Sequence, residues 1–149
     1  MKKNKVFIAC DSLDVNKVKE IINKTQKSNL KIGYKFGLEF LNSKNGRNFV
    51  SKLKKKIIFA DLKLHDIPNT CVSAINAIKD LRINYLTIHI SSGLRALSFS
   101  KKVSGKIKLV GVTILTSLDN KALKQIGFNK DVKKLVLHQA KLASKAKLD

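Results

Sequence analysis

IIFADLKLHDIPNT, residues 57–70, joins an apolar run to a cluster of charges and the start of a helix. The first four residues are apolar, and three of them are bulky, which predicts a buried strand. Because side chains alternate along a strand, Asp61 and Lys63 are expected on one face of it. Asp66 follows the strand end, and Pro68 can take the first position of the next helix. Charges at the end of a buried strand are costly unless they pair with one another or bind a ligand. The sequence is therefore compatible with either a structural ion pair or a reactive site here.

The same change from strand to helix recurs along the chain. Apolar residues at helical spacing form sets that begin at Val15 and Cys71, and a last helix is predicted over about Val132–Lys147. Strands that are apolar throughout and separated by helices predict a parallel sheet buried on both faces. Both an open doubly wound sheet and a (β/α)8 barrel fit this pattern. The predicted strands are Lys5–Asp11, Leu30–Gly37, Lys56–Lys63, Asn84–Ile90 and Ile107–Thr116.

The positions of polar residues favour the barrel. Such residues fall at or near the C-terminal ends of all five predicted strands, the face where barrel enzymes build their active sites. They are Asp11, Lys35, Asp61 with Lys63, His89 and Thr116. No GxGxxG follows the first strand, which argues against a dinucleotide-binding sheet. The predicted fold class is therefore α/β, a (β/α)8 TIM barrel.

The length of the chain sets a limit on this prediction. A closed barrel takes roughly 250 residues. The 149 residues of this sequence are therefore expected to form a fragment truncated after about five βα units, a single partial domain over residues 1–149.

The formal net charge of +21 raises the alternative of a basic nucleic-acid-binding protein. Arginine forks and stacked aromatic side chains mark base or strand recognition. Here the arginines are Arg47, Arg82 and Arg95, and the remaining excess is lysine spread over the predicted helices. Solvated lysine faces are therefore favoured, and no nucleic-acid partner is expected. The positive field would still raise the encounter rate with a phosphate dianion.

Features of membrane and secreted proteins are lacking. The apolar run after the basic N-terminus extends only from Val6 to Cys10, too short for a signal peptide, and no later stretch is long enough to span a bilayer. Cys10 and Cys71 have neither CxxC spacing nor the spacing of a metal site, which is typical of a reduced cytoplasm. A cytoplasmic protein with no membrane partner and no metal is expected.

The pattern D-x-K-x-x-D-I-P-N-T at Asp61–Thr70 resembles the signature of the orotidine 5′-phosphate decarboxylases. The shorter D-x-K-x-x-D is shared with sugar-phosphate relatives, hexulose-phosphate synthase and keto-gulonate-phosphate decarboxylase. The His-Asp-Ile-Pro-Asn-Thr continuation favours the orotidylate branch. Other segments similar to motifs of that family are Phe7–Asp11, Tyr34–Phe40, Leu86–Gly93 and Val112–Ser117.

The resemblance implies an enzyme that converts orotidine 5′-phosphate (OMP) to UMP and CO2, the last step of de novo pyrimidine nucleotide synthesis, without metal or organic cofactor. Lys63 would be the general acid that protonates C6 of the pyrimidine. Asp61 would lie beside the departing carboxylate. Asp66, a third catalytic residue, would reach the active site of a second subunit together with Ile67 and Thr70, which implies a homodimer.

The resemblance also assigns substrate contacts to strands one and two. Asp11 would meet the ribose hydroxyls, although a role at the start of the next helix, shared with Asp14, is equally compatible with the residues alone. Lys35 lies inside an apolar strand and needs an anionic partner, for which Asp61 on the next strand is the natural choice. Together Lys35, Asp61, Lys63 and Asp66 would form an array of alternating charge.

Thr116 would contact the pyrimidine, and its neighbour Ser117 is the alternative for that role. His89 is interpreted as a hydrogen-bonded core residue and is left out of the catalytic set. The family holds the substrate phosphate with residues of its last βα units, so this chain alone is expected to be a poor decarboxylase. A magnesium-dependent aldolase or decarboxylase acting on a sugar phosphate is the alternative within the same superfamily.

Overall fold

The computed structural model describes residues 5–149, and residues 1–4 of the basic segment considered above as a signal peptide lie outside the described part. The strands are β1 Lys5–Ala9, β2 Lys31–Gly37, β3 Ile57–Leu64, β4 Tyr85–His89 and β5 Lys108–Val112. The helices are α1 Val15–Thr25, α2 Leu38–Asn42, α3 Gly46–Lys52, α4 Pro68–Ala77, α5 Gly93–Val103, α6 Asn120–Gln125 and α7 Val132–Lys145. Short 3-10 turns cover Lys79–Leu81 and Ile90–Ser92.

All five predicted strands are confirmed. The largest error is in the last one, which was predicted to reach Thr116 but ends at Val112. Pro68 is the first residue of α4, as its fixed backbone angle led us to expect. The predicted helices that start at Val15 and Val132 are α1 and α7.

Aspartate side chains begin three of the helices. In each case a carboxylate oxygen accepts a hydrogen bond of 2.8 Å from a backbone N–H in the first helical turn. A cap of this kind stabilises a helix by about 1 kcal/mol because the first N–H groups have no partner within the helix. The three caps are Asp14 on α1, Asp119 on α6 and Asp131 on α7.

The strands follow one another in the sheet in chain order, β1-β2-β3-β4-β5. The pairs β1–β2 and β2–β3 are parallel. Their register places Ala9 opposite Lys35, and Gly37 opposite Asp61. Parallel pairing therefore carries the polar residues that follow each strand to the same edge of the sheet.

The described residues divide into two compact units, the first made of residues 5–62 and Ala77–Leu86. Its core contains Tyr34, Phe36 and Ile58, each no more than 1% exposed. On another part of the sheet the Phe7 ring meets the Phe59 ring edge-on, with 5.2 Å between centroids. Gly33 makes room for this cluster, since a Cβ there would lie 2.6 Å from the Phe7 ring.

The second unit contains residues 63–76 and Thr87–Asp149. Its core includes Leu97, Leu109 and Leu123, which are fully buried. Gln139 on α7 is also buried, and its side-chain oxygen Oε1 accepts no hydrogen bond within residues 5–149. The prediction of a single domain stays a prediction. Within the described residues, no helix has the length and apolar character needed to cross a membrane.

Candidate active site

Lys35 lies between two carboxylates in the first unit. Its Nζ is 3.3 Å from Asp61 Oδ2 and 3.7 Å from Asp11 Oδ1. The Asp61 side chain is 14% exposed and the Lys35 side chain 26% exposed, whereas that of Asp11 is 57% exposed. The predicted pairing of Lys35 with Asp61 is confirmed. It arises because β2 and β3 are adjacent and parallel, so both side chains come to the same edge.

This arrangement places one positive charge between two negative charges. Desolvation offsets much of the attraction in a half-buried ion pair, so the Lys35–Asp61 pair is not expected to add much to the stability of the fold. The ion pair has a direct consequence for a bound ligand. A fixed ammonium and fixed carboxylates can orient hydroxyl groups of a ligand and set the local potential without reorganising during a reaction.

Asp11 does not cap the following helix. The cap of α1 is Asp14, which accepts the N–H of Asn16, and Ser12 Oγ accepts the N–H of Asp14. Asp11 instead lies two residues beyond β1, with its carboxylate toward Lys35. The structure thus separates two roles that the residues alone left equal.

Lys63 has an unusual backbone. Its φ of 48° is in the left-handed region, although it lies within strand β3. The other non-glycine residues with positive φ in the described part, Lys55, Arg82 and Lys147, are in bends, turns or at helix ends. The left-handed conformation costs an L-residue roughly 1–2 kcal/mol. Alternation along the strand therefore does not set the direction of the Lys63 side chain, contrary to the basis of our prediction.

A hydrogen bond to the neighbouring strand β4 accompanies this conformation. The Lys63 N–H donates to Thr87 Oγ1 at 2.8 Å. Thr87 is 5% exposed and lies between Leu86 and Ile88, which are both fully buried. A buried N–H without an acceptor would cost about 1–3 kcal/mol, so this bond is of the size needed to offset the backbone strain.

The loop after β3 carries the next three predicted residues. Asp66 is exposed, and its Oδ1 accepts the N–H of Ile67 at 2.7 Å. The Cys71 thiol donates to the Asp66 carbonyl oxygen at 3.3 Å, which ties the loop to α4. Ile67 is 65% exposed, and Thr70 in the first turn of α4 is also exposed.

Thr116 does not end a strand, and this prediction was wrong. It lies in an exposed turn after β5, where the Leu118 N–H donates to the Leu115 carbonyl oxygen at 3.0 Å. The apolar run continues past Val112, so the sequence itself contains no signal for the strand end. Thr113 is the threonine that lines the cavity described next.

Two histidines line a cavity of about 240 Å³ in the second unit, at the ends of β4 and β5. The rings of His65 and His89 have centroids 5.0 Å apart, and Ser91 Oγ is 3.2 Å from His65 Nε2. Thr113 and the buried Gln139 also line this space, together with apolar side chains. The sequence analysis assigned no role to His65, Ser91 or Gln139. His65 and Ser91 lie in segments that resemble family motifs, Asp61–Thr70 and Leu86–Gly93, and Gln139 lies in no such segment.

Burial changes the ionisation of one group in each unit. Desolvation lowers the pKa of His89 from 6.5, with smaller contributions from the charges of His65 and Lys63. Burial raises the pKa of the Cys10 thiol to about 11, and Asp11 adds to this shift while Lys35 opposes it. Cys10 is therefore a protonated, unreactive core residue at neutral pH.

The lowered pKa of His89 predicts a loss of stability in acid. The unfolded chain binds the proton near pH 6.5 and the folded chain only at lower pH, so the free energy of unfolding should fall as the pH drops below about 6.5. His89→Gln should make this pH dependence shallower, and His138→Gln, at an exposed position, is the matched control. Urea unfolding at several pH values measures the effect. A His89 imidazole that titrates at or above 6.5 by NMR would contradict it.

Residues 5–149 contain no group of three or more His, Cys, Asp or Glu side chains that could hold a metal ion.

Comparison with protein families now bears on these residues. The sequence profile of the Orotidine 5′-phosphate decarboxylase / HUMPS family matches residues 4–149. The chain belongs to this family. A relative from Wolbachia sp. subsp. Brugia malayi, named orotidine 5′-phosphate decarboxylase, is 40% identical over 150 residues, which cover 97% of this chain and 65% of the relative. The chain thus spans slightly less than two thirds of the length of such relatives.

Solved structures support the same fold. The orotidine 5′-phosphate decarboxylase from Lactobacillus acidophilus matches 97% of this chain and 69% of its own, with a TM-score of 0.87 and 29% identity. The orotidine 5′-monophosphate decarboxylase from Methanocaldococcus jannaschii, at 21% identity, matches 99% of this chain with a TM-score of 0.77 and bears on the fold alone. These proteins are TIM barrels, so the predicted fold class is confirmed: five parallel strands alternating with helices form part of that architecture.

Proposed function

We propose that this chain provides the catalytic residues of an orotidine 5′-phosphate decarboxylase, which converts OMP to UMP and CO2. The observation that carries the proposal is the Lys35 ammonium held between Asp61 and Asp11, with Lys63 two residues beyond Asp61 on β3. Family membership supports the substrate, since relatives at 40% identity carry this name. The net charge of +21 favours encounter with a phosphorylated anion.

The reaction in this proposal breaks the bond between C6 of the pyrimidine and the carboxylate carbon. The electron pair of that bond stays on C6, and CO2 leaves as a neutral molecule. Lys63 Nζ, protonated before the reaction, stabilises the charge at C6 and then delivers a proton to it, and it regains a proton from solvent. Asp61 lies beside the departing carboxylate and, with Lys35, keeps the local charges fixed.

Other residues bind the substrate in this proposal. Asp11 accepts hydrogen bonds from the ribose hydroxyls, as an ionised carboxylate can. Its 57% exposed side chain leaves it open to a ligand. Thr116 in the turn after β5 contacts the pyrimidine. Neither metal nor organic cofactor takes part.

We also propose a cytoplasmic homodimer in which Asp66, Ile67 and Thr70 serve the active site of the partner subunit. The exposure of all three side chains supports this, and Ile67 in particular is a large apolar residue that is 65% exposed. Neither a nucleic acid nor a membrane is a partner in this proposal.

Mixing two inactive variants tests both the function and the dimer. The protein for this test is the extended chain, defined as residues 1–149 completed with the part of the Wolbachia relative that the match leaves uncovered. Lys63→Ala and Asp66→Asn should each be nearly inactive, and an exchanged mixture should regain part of the activity because one composite site of a mixed dimer is intact. OMP loss is followed by ultraviolet absorbance.

The controls separate the two claims. An inactive extended wild-type chain would refute the function. Active wild type, with no recovery in the mixture despite subunit exchange shown by mass spectrometry, would mean that Asp66 acts within its own subunit. Glu20→Gln, at an exposed position of α1, is a control for the loss of a surface carboxylate.

A further inference from the structure

We propose that Thr87 is a positioning residue that holds Lys63 in its left-handed backbone conformation. The evidence is the 2.8 Å hydrogen bond from the Lys63 N–H to Thr87 Oγ1, together with the φ of 48° at Lys63. Both residues belong to the second compact unit. This inference rests on the proposed function for its catalytic consequence, but its structural part stands without it.

The chemistry of position 87 favours this role. Strand β4 is buried from Leu86 to Ile88, an environment in which valine would fill the same volume without a polar atom. A hydroxyl placed there must be hydrogen-bonded to avoid a desolvation penalty. It is bonded to the backbone of the one residue in β3 whose φ is positive.

The backbone of Lys63 matters because φ sets the direction of the bond from Cα to Cβ. A strained backbone conformation persists only where contacts with the surrounding structure hold it in place, and residues in such conformations cluster at functional sites. A relaxed, extended Lys63 would send its side chain in another direction, and the long stem would recover the ammonium position only in some of its rotamers. Thr87 thereby preorganises the ammonium group before substrate binds.

The test compares three variants of the 149-residue chain. Thr87→Val keeps the volume and removes the acceptor, whereas Thr87→Ser keeps the hydroxyl and removes a methyl group. Ile88→Val, at the next buried position of β4, is the matched control for lost packing. For each variant, NMR measures the amide exchange rate of Lys63 and its three-bond coupling between HN and Hα, which reports φ. Circular dichroism during urea unfolding records global stability.

In Thr87→Val the Lys63 amide should exchange faster by about tenfold relative to neighbouring β3 amides, the factor expected for one lost hydrogen bond, and its coupling should change. Thr87→Ser and Ile88→Val should keep the wild-type coupling. An unchanged coupling and exchange rate in folded Thr87→Val would overturn the proposal. So would equal changes in Ile88→Val, since general loosening of the core would then suffice.

The catalytic consequence is measured separately in the extended chain. Thr87→Val should lower kcat for OMP by about tenfold to a hundredfold with KM nearly unchanged, and Thr87→Ser should restore most of it. An extended wild-type chain without turnover would refute the proposed function, while the NMR comparison would still decide the role of Thr87. Normal kcat in a Thr87→Val protein with an altered Lys63 coupling would overturn the link to catalysis.

Discussion

Lys63→Ala in the extended chain should abolish OMP turnover, a loss of several orders of magnitude in kcat, while binding of UMP remains detectable. The substitution removes both the proton donor and a fixed cation that is more useful to the transition state than to the ground state. Stopped-flow or steady-state absorbance measures kcat, and calorimetry measures the affinity for UMP.

A control and a threshold make this result decisive. Lys31→Ala removes an exposed lysine at the start of β2 and should leave kcat unchanged. If Lys63→Ala keeps more than about a tenth of the wild-type rate, a factor worth less than about 1.4 kcal/mol of transition-state stabilisation, Lys63 is not the general acid.

The second large effect concerns the part of the fold that holds the substrate phosphate. Completing residues 1–149 with the uncovered part of the Wolbachia relative should raise kcat/KM for OMP by several orders of magnitude over the 149-residue chain. The resemblance to the family implies that the added C-terminal βα units supply the contacts to the substrate phosphate. Binding energy from a remote group of this kind normally lowers the barrier at the reacting carbon.

The comparison needs both proteins in a folded, monodisperse form. Light scattering establishes the oligomeric state, and absorbance at several OMP concentrations gives kcat/KM. Orotidine, which lacks the phosphate, is the matched substrate control and should react equally slowly with the two proteins. Turnover of OMP by the 149-residue chain at the rate of the extended chain would show that the phosphate contacts lie elsewhere.

The pairing of Lys35 with Asp61 was accessible from the sequence because it depends on simple geometry. Two apolar strands that follow one another with a helical connection form a parallel pair, and residues near their C-terminal ends then meet at one edge. The start of α4 at Pro68 was predictable for a similarly local reason, namely the fixed φ of proline.

The backbone of Lys63 could not have been predicted. A positive φ is expected at glycine or asparagine, and lysine carries no such preference. Its cause is a hydroxyl on another strand, 24 residues further along the chain. Local pattern reasoning therefore gave the correct strand for Lys63 and the wrong basis for the direction of its side chain.

The end of β5 and the helix α5 were missed for different reasons. Val112 and the residues after it are apolar and favour a strand, so the turn around Thr116 is decided by tertiary packing. Helix α5 buries Ala96, Leu97 and Ser100, a small and partly polar set that gives little periodic signal.

Release of CO2 from OMP labelled in its carboxylate tests the central claim most directly. The extended chain should release one labelled CO2 for each UMP formed, with the same rate in the presence of a chelator, and the Lys63→Ala variant should release none above the uncatalysed background. If the folded extended chain releases no CO2 from OMP, the account is contradicted. A reaction that requires added magnesium and is faster with a sugar phosphate than with OMP would contradict it as well.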